Sequence, residues 1–282
     1  MSMAERPTVP VSVLILTRNE DQDLPGCLAS LSWCDDIHVL DSLSTDATCD
    51  IARAGKATVT RRAFDGYASQ RNFGLHEIVF RNDWVLMLDA DERVPESLVG
   101  NIEKFLNSAT DDVAAGRLCR RDYWWGRWLR HAQITPWYVR LVRPRRVRFE
   151  REINEICVVD GKILTLPGHF DHFPFSKGLD HWIAKHNTYS RMEAELIVAQ
   201  GTPEYSWRLA LFASDPNERR KHQKAIFFRL PARPVIKLAY MLFVRRAILD
   251  GWPGFRYALL QSIYEYFIVL KTKELRSRHA KA

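Results

Sequence analysis

The first hundred residues alternate short apolar runs with stretches of helical spacing, and this alternation limits the possible folds more than any other feature. Val11 to Leu16 is an apolar run rich in β-branched residues, which is typical of a buried strand. The same pattern predicts further strands at 37–40, 58–60 and 84–88 and helices at 24–31, 44–55 and 95–107. Alternating strands and helices predict an α/β fold, in which helices cover a mostly parallel sheet.

Three of the predicted strands end at a polar residue, namely Thr17, Asp41 and Asp89. In open α/β sheets, ligands bind in a crevice beyond the carboxyl ends of the strands. Because parallel strands end at the same edge of a sheet, we expect these three side chains to converge on one crevice. The alternative is that polar residues simply end strands, as they commonly do.

The segment Asp89-Ala90-Asp91-Glu92 directly follows a predicted buried strand. Two carboxylates one residue apart on a turn can hold Mg²⁺, which prefers one or two carboxylates together with substrate phosphate oxygens. Such an ion neutralises the charge that grows on a diphosphate leaving group. An ordinary acidic turn is the alternative. A haloacid-dehalogenase-type phosphatase is disfavoured, because its D-x-D normally closes the first strand and continues into Thr or Val.

Four segments with a fixed order resemble the successive motifs of family 2 glycosyltransferases. They are VLILTRNE at 13–20, LDSLSTDAT at 40–48, QRNFG at 70–74 and LDADER at 88–93. The resemblance covers residues 11 to about 195 and is to the bacterial branch that builds lipopolysaccharide core and exopolysaccharide. It implies a Rossmann-like GT-A fold, a nucleotide-sugar donor such as a UDP-sugar, and a divalent cation, Mg²⁺ or Mn²⁺. It further implies inverting transfer to a saccharide or lipid-linked acceptor.

The resemblance also implies roles for individual residues of the donor site. Thr17, Asn19 and Glu20 would lie in the nucleotide pocket, and Asp41 would face the base or ribose. Arg71 would approach the diphosphate or the sugar. Asp89 would face the ribose and the cation, and Asp91 would be the principal metal ligand. The second motif departs from the family pattern at Leu43, where glycine is usual, so the loop after Asp41 is expected to differ in shape.

The general base is predicted from a shorter motif of the same branch, often His-Glu, which precedes a pair of strands. The matching place is Asn154-Glu155, with Asn where His is usual. Glu155 is therefore the predicted base that takes a proton from the acceptor hydroxyl, and Glu152 is the second candidate. An ordinary surface carboxylate is the alternative for both. A late histidine can complete the metal site in GT-A enzymes, and His172 matches that place; a structural histidine is the alternative.

The remainder of the chain is basic and aromatic. Residues 112–171 are rich in Trp, Tyr and Arg, which fits an acceptor site because aromatic faces stack on sugars and Arg pairs with phosphates. Core packing is the alternative for any one Trp. Between Arg219 and Arg246 the chain has nine Lys and Arg and no Asp or Glu. Helices of this composition can lie against an anionic membrane surface, and packing on the catalytic domain or a dimer contact is the alternative.

These patterns predict three regions. Residues 1–10 form an N-terminal tail, and 11–200 form the GT-A catalytic domain. That domain has a nucleotide-binding half at 11–110 and an acceptor half at 111–200. Residues 201–282 form a helical, membrane-associating extension. Five cysteines without a C-x-x-C pair suit a reducing compartment, and no signal peptide is recognised. We therefore expect a cytoplasmic protein that is peripheral at the inner face of the bacterial inner membrane.

Two other functions are compatible with parts of this pattern. A nucleotide-sugar pyrophosphorylase shares the strand order but needs a glycine-rich phosphate loop after the first strand, where this chain has no glycine until Gly26. A non-enzymatic nucleic-acid-binding protein would suit the net charge of +7. That function leaves Asp89 and Asp91 unexplained, so no nucleic-acid partner is expected.

Overall fold

The structure is a computed structural model that describes residues 8–133, 136–150, 155–201, 204–213 and 216–279. Contacts between Cα atoms divide the chain into two compact units. The first, called the sheet unit, comprises Met1–Trp124 and Thr135–Ser176. The second, called the helical unit, comprises Trp125–Ile134 and Lys177–Ala282. The functional boundary near residue 200 stays a prediction.

The strands are numbered in chain order. They are β1 (Ser12–Thr17), β2 (Ile37–Asp41), β3 (Thr58–Arg61), β4 (Val85–Asp89), β5 (Glu92–Arg93), β6 (Val113–Trp124), β7 (Arg127–Trp128), β8 (Trp137–Val142), β9 (Val147–Glu150), β10 (Ile156–Val159) and β11 (Lys162–His172). The main sheet of the sheet unit has the order β3-β2-β1-β4-β8-β6-β11-β5. Strands β3, β2, β1 and β4 are parallel, as are β6 and β11, whereas β8 and β5 run antiparallel to their neighbours. Strands β9 and β10 form a separate antiparallel pair.

Strand β1 is buried on both faces because its side chains alternate between two apolar clusters. Val13 and Ile15 belong to the first cluster, together with residues of the helices α1 (Leu24–Ala29), α2 (Thr48–Ala54) and α4 (Glu96–Ser108). Leu14 belongs to the second cluster, together with residues of α3 (Tyr67–Glu77) and β9. Helices thus cover both faces of a mostly parallel sheet, and the predicted α/β fold class is confirmed.

The approach of α3 to the sheet explains one glycine of the third motif. A Cβ atom at Gly74 would lie 2.7 Å from the Cδ2 atom of Leu14 and 3.2 Å from that of Leu40. A Cβ atom at this position would force the buried Leu14 side chain to shift, so glycine permits the close approach of the helix to the strands. The motif QRNFG therefore contributes to the packing of α3 as well as presenting polar side chains.

The helical unit contains the C-terminal helices. They are α5 (Gly178–Gln200), α6 (Trp207–Phe212), α7 (Pro216–Phe227), α8 (Arg233–Ala239) and α9 (Gly251–His279). Helix α9 packs against α5 and α8, and the buried ion pair between Arg233 and Glu265 (3.2 Å) joins α8 to α9. In the described part of the chain, no helix combines the length and the apolar character that crossing a bilayer requires. The predicted C-terminal helical extension is confirmed.

Candidate functional site

The carboxyl ends of three neighbouring parallel strands place Thr17, Asp41 and Asp89 at one edge of the sheet. Thr17 is paired in register with Asp41, and Leu16 with Asp89. The Thr17 hydroxyl donates a hydrogen bond to the Oδ1 atom of Asp41 (3.1 Å). The strand ends that the sequence singled out therefore lie side by side, where ligands of α/β sheets bind.

The carboxylate of Asp41 is fully buried and saturated with hydrogen bonds. Besides Thr17, the backbone amide of Ser44 donates to it (2.9 Å), as does the Ser44 hydroxyl. Burial favours the neutral acid, but these hydrogen bonds outweigh it and hold the pKa of Asp41 below its ordinary value. Asp41 thus shapes the loop that follows β2, and its predicted contact with base or ribose stays a prediction.

The loops after β1 and β2 are tied together by side chains of the first two motifs. The Asn19 side-chain oxygen accepts a hydrogen bond from the backbone N–H of Thr45 (2.8 Å). The backbone N–H of Asn19 donates to the Ser44 hydroxyl (2.8 Å). The backbone amide of Glu20 donates to the Thr48 hydroxyl (2.7 Å). These bonds hold the two loops together at the place where the nucleotide pocket is predicted.

Leu43 has a φ angle of +56°, in the left-handed region that glycine adopts without cost. The side chain is 48% exposed, so little packing compensates this conformation. The loop therefore has the backbone conformation that the usual glycine favours, although its residue type departs from the family pattern.

Asp89 is clamped between two arginines. The Nη2 atom of Arg71 lies 3.3 Å from its Oδ1 atom, and the Nη2 atom of Arg140 lies 2.8 Å from its Oδ2 atom. Burial raises the pKa of a carboxyl group, yet Arg140 and Arg71 reverse that effect and hold the pKa of Asp89 far below its ordinary range. Asp89 is therefore ionised at any physiological pH.

Glu92 lies beneath Asp89 and is fully buried. Its Oε1 atom is 2.6 Å from the Nη2 atom of Arg140 and 3.9 Å from the Nη1 atom of Arg120, and its Oε2 atom accepts from the Asp89 amide (3.0 Å). Burial raises the pKa of Glu92 despite these cations. The third acidic residue of the DADE segment thus positions the turn and does not face solvent.

Pairing between strands brings His172 to the D-x-D turn. In β11, His172 stands opposite Glu92 of β5 on one side and opposite Asp122 of β6 on the other. Its Nε2 atom is 3.2 Å from the Oδ2 atom of Asp91, and its Nδ1 atom is 2.7 Å from the Oδ1 atom of Asp122. The residue predicted to complete a metal site therefore lies beside the predicted principal ligand.

The charges around His172 favour its protonated form in the absence of a cation. Burial and Arg120 lower the pKa of His172, but Asp91 and Asp122 more than compensate and raise it to about 9. Burial raises the pKa of Asp122, and His172 and Arg120 outweigh it so that the pKa falls. The imidazole is thus held between two carboxylates.

The third motif connects the site to its surroundings through three consecutive residues of α3. Gln70 donates to the Ser42 hydroxyl (3.0 Å) in the loop after β2. Asn72 exchanges two hydrogen bonds with the backbone of Phe149 in β9 (2.8 and 2.7 Å). Between them, Arg71 contacts Asp89 and also Glu155, whose Oε1 atom lies 3.0 Å from its Nε atom.

Glu155 immediately precedes β10 and is three-quarters buried, with 24% of its side chain exposed. Arg71 thus bridges the predicted general base and the D-x-D turn. The second candidate base, Glu152, and the departing residue Asn154 lie outside the described residues. The assignment of the base stays a prediction.

A family model described as Glycosyl transferase family 2 matches residues 12–165, which is more than half of the chain. The chain belongs to glycosyl transferase family 2. Membership confirms the resemblance carried by the four motifs and makes the protein a glycosyltransferase. It favours this function over the pyrophosphorylase and nucleic-acid-binding alternatives.

Relatives of this family 2 glycosyltransferase include an enzyme of lipopolysaccharide core biosynthesis. The chain is 27% identical over 289 residues to the lipopolysaccharide core biosynthesis glycosyltransferase LpsC of Rhizobium meliloti, covering 97% of this chain and 94% of LpsC. It is 26% identical over 286 residues to an uncharacterised glycosyltransferase of Rickettsia bellii, covering 97% and 89%. The mannosyltransferase PcManGT from Pyrobaculum calidifontis, solved with GDP-Man and Mn²⁺, has a TM-score of 0.52 at 17% identity, covering 95% and 89%. This last likeness confirms the GT-A fold.

The donor atoms of this family 2 enzyme suit a cation that also binds phosphate. Asp91 and His172 offer a carboxylate and an imidazole 3.2 Å apart. Asp89 lies two residues before Asp91, and its carboxylate oxygens accept hydrogen bonds from Arg71 and Arg140. Within the described ranges, no three His, Cys, Asp or Glu residues are grouped as a complete metal site. Such a partial set fits Mg²⁺ or Mn²⁺, which take remaining ligands from substrate phosphates and water.

Four charged residues of the site were not predicted from the sequence: Glu92 as a buried group, Arg120, Asp122 and Arg140. All four are nearly or fully buried, and they neutralise one another in alternating contacts. The available signal was the presence of charged residues inside the segments that form β6 and β8. Buried charges without partners are costly, so such residues mark a network.

Proposed function

We propose that this protein is an inverting, cation-dependent glycosyltransferase of bacterial lipopolysaccharide or cell-surface polysaccharide synthesis. It moves a sugar from a nucleotide-sugar donor, a UDP-sugar foremost, to a saccharide or lipid-linked acceptor. The observation that supports this most is the contact of Asp91 with His172 (3.2 Å) on a turn where Arg71 also binds Asp89.

Asp91 and His172, with Asp89 beside them, would hold a divalent cation. When bound, Mg²⁺ or Mn²⁺ neutralises the negative charge on the departing diphosphate. Arg71 supplies a second positive charge. Its Nη1 atom is buried and has no hydrogen-bond partner in the described part of the chain, so it can donate to a phosphate oxygen. Thr17, Asn19, Glu20 and Asp41 lie at the neighbouring strand ends, where the nucleoside of the donor would bind.

Glu155 is the proposed general base. Its carboxylate takes the proton of the acceptor hydroxyl while the hydroxyl oxygen forms a bond to the anomeric carbon. The bond from that carbon to the diphosphate oxygen breaks with its electron pair, and attack from the opposite face inverts the configuration. The contact with Arg71 (3.0 Å) holds this carboxylate next to the D-x-D turn.

Surface residues of each unit support the acceptor class and the location that we propose. Arg117 lies over the exposed ring of Trp137 (5.9 Å), a pairing suited to sugars that carry phosphate. We further propose that the protein is cytoplasmic and peripheral at the inner face of the bacterial inner membrane. Its basic C-terminal segment would contact anionic lipid there.

A thermal-shift panel tests the proposal. UDP-, GDP- and other nucleotide sugars are added with Mn²⁺, with Mg²⁺ or with a chelator, and the melting temperature is measured. A ligand that binds only the folded protein raises this temperature. We expect one class of nucleotide sugar to raise it only when the divalent cation is present. The absence of any shift across the panel, or a shift that persists with chelator, would contradict a cation-dependent donor site.

A further inference from the structure

Large apolar side chains are exposed around the start of α9, where the helical unit makes a tight turn. Phe243 is 74% exposed and Trp252 is 70% exposed. We call this surface the Trp252 patch; its apolar members are Trp125, Phe243, Val244, Ile248, Leu249 and Trp252. Soluble proteins rarely expose so many large apolar groups together, and such patches mark interaction sites.

The two chain segments that form the Trp252 patch are bound to each other. The Arg256 guanidinium lies over the rings of Trp125 (4.9 Å) and Trp252 (5.8 Å), and Arg127 donates to the carbonyl of Leu249 (3.2 Å). Asp250, which is buried, accepts from the backbone amides of His131 (2.8 Å) and Ala132 (2.7 Å). These contacts hold the two segments together, and residues 240–244 and 247–250 pack against each other and against α9.

The turn that carries Phe243 and Ile248 has a defined backbone. A π-helix at Tyr240–Val244 and a 3-10 helix at Ala247–Asp250 flank Arg246, which has a φ angle of +60°. Met241 of the first short helix and Ala247 of the second are buried and pack inside the helical unit. The exposed apolar side chains thus lie on short helices whose other side chains are packed.

The charge around the Trp252 patch is of one sign. Residues 219–256 contain ten Lys and Arg and a single acidic residue, Asp250. Asp250 is buried and bound to the 131–132 backbone, whereas Arg246 and Arg256 are exposed. The segment therefore presents cations and large apolar groups to solvent, and no carboxylate.

We infer that the Trp252 patch is the surface by which the protein sits in the headgroup region of an anionic lipid bilayer, an inference that rests on the proposed membrane association. Trp prefers this depth because its ring is apolar and its N–H can bond to headgroups. Phe243 and Ile248 enter the acyl boundary, and Arg246 and Arg256 pair with lipid phosphates. This surface complements an anionic bilayer in both charge and apolarity.

Sedimentation with lipid vesicles tests the inference on the full-length protein. The vesicles contain phosphatidylcholine with or without phosphatidylglycerol. The variant Phe243→Ser/Trp252→Ser should partition into anionic vesicles at least about tenfold more weakly than the wild type, because two large apolar groups no longer leave water. The matched control, Trp207→Ser/Phe212→Ser, removes two equally exposed groups from α6 and should bind like the wild type. Circular dichroism confirms the fold of each variant.

The outcomes distinguish failure of the Trp252 patch from failure of membrane association and from failure of the proposed transferase activity. Equal binding by both double variants, or a larger loss in the control, would overturn the assignment to the Trp252 patch. Arg246→Gln/Arg256→Gln should weaken binding to anionic vesicles only; unchanged binding would contradict the role of charge. Wild-type protein that binds neither vesicle would refute membrane association itself. Cation-dependent donor binding is measured without lipid and tests the transferase proposal separately.

Discussion

The Nδ1 atom of His172 lies 2.7 Å from the Oδ1 atom of Asp122. This contact directs the other ring nitrogen toward Asp91 (3.2 Å). A carboxylate that binds the far nitrogen of a metal-ligating histidine fixes its orientation and raises its basicity. Asp122 therefore acts on the proposed cation site through His172.

Replacement of Asp122 by alanine should weaken binding of Mn²⁺ in the presence of UDP by about 10- to 100-fold, because the imidazole loses its orientation. Titration monitored by the electron paramagnetic resonance of free Mn²⁺ measures this affinity. Asp171→Ala is the matched control, since Asp171 precedes His172 and pairs with Arg121 (2.6 Å) instead. Equal effects of the two substitutions would argue against a positioning role for Asp122.

Glu155→Gln should lower the turnover number by about 10²- to 10⁴-fold, as expected for loss of a general base. Donor affinity should change much less, because the amide keeps the shape of the side chain. Steady-state kinetics with a separate measurement of donor binding distinguishes the two effects. Glu150→Gln is the control, since Glu150 lies on β9 and pairs with Arg148 (2.9 Å). A loss confined to donor binding would instead make Glu155 a donor contact.

Leu43→Gly should leave stability unchanged or raise it by up to about 1 kcal/mol. The left-handed conformation costs an L-residue about 1–2 kcal/mol, and the flexibility of glycine in the unfolded chain offsets about half of this. Urea denaturation measures the difference. Leu43→Ala retains a Cβ atom and should show no such gain. A clear destabilisation by glycine would mean that the exposed Leu43 side chain contributes packing.

His186 should make stability depend on pH below neutrality. Burial between Trp182 and Tyr264 lowers the pKa of His186 to about 4, against an ordinary value of 6.5. The unfolded chain therefore binds a proton below pH 6.5 while the folded chain stays neutral. Stability should fall as the pH drops from about 6.5 to about 4.

The difference in unfolding free energy between wild type and His186→Phe, followed from pH 7.5 to 4, isolates this contribution. The wild type should lose stability relative to the variant over that window. A constant difference would show that His186 titrates alike in both states.

Apolar runs predicted the part of the site that lies at strand ends. Thr17, Asp41 and Asp89 each follow such a run, and strand register brings them to one edge. Helix α3 was not predicted, since the residues of Tyr67–Glu77 show little separation into apolar and polar faces. Its position follows from the contact of Gly74 with Leu14, which no local pattern reveals.

Residues 112–171 are less regular in pattern than the first hundred residues, yet they form strands β6 to β10 and nearly all of β11. Arg120, Asp122 and Arg140 interrupt the apolar character that predicts buried strands. Their burial depends on partners distant in the chain, so only the folded structure shows why it is tolerated. His172 was placed by resemblance, and the pairing of β5 with β11 explains how it reaches Asp91.

The role of Asp91 is tested most directly by the affinity of Mn²⁺ for the UDP-bound protein before and after Asp91→Asn, measured by titration calorimetry. We expect one bound Mn²⁺ per wild-type chain, release of this ion in the variant, and loss of transfer activity with the fold intact. Retention of wild-type Mn²⁺ affinity by the variant would contradict the claim that Asp91 holds the cation beneath the donor diphosphate.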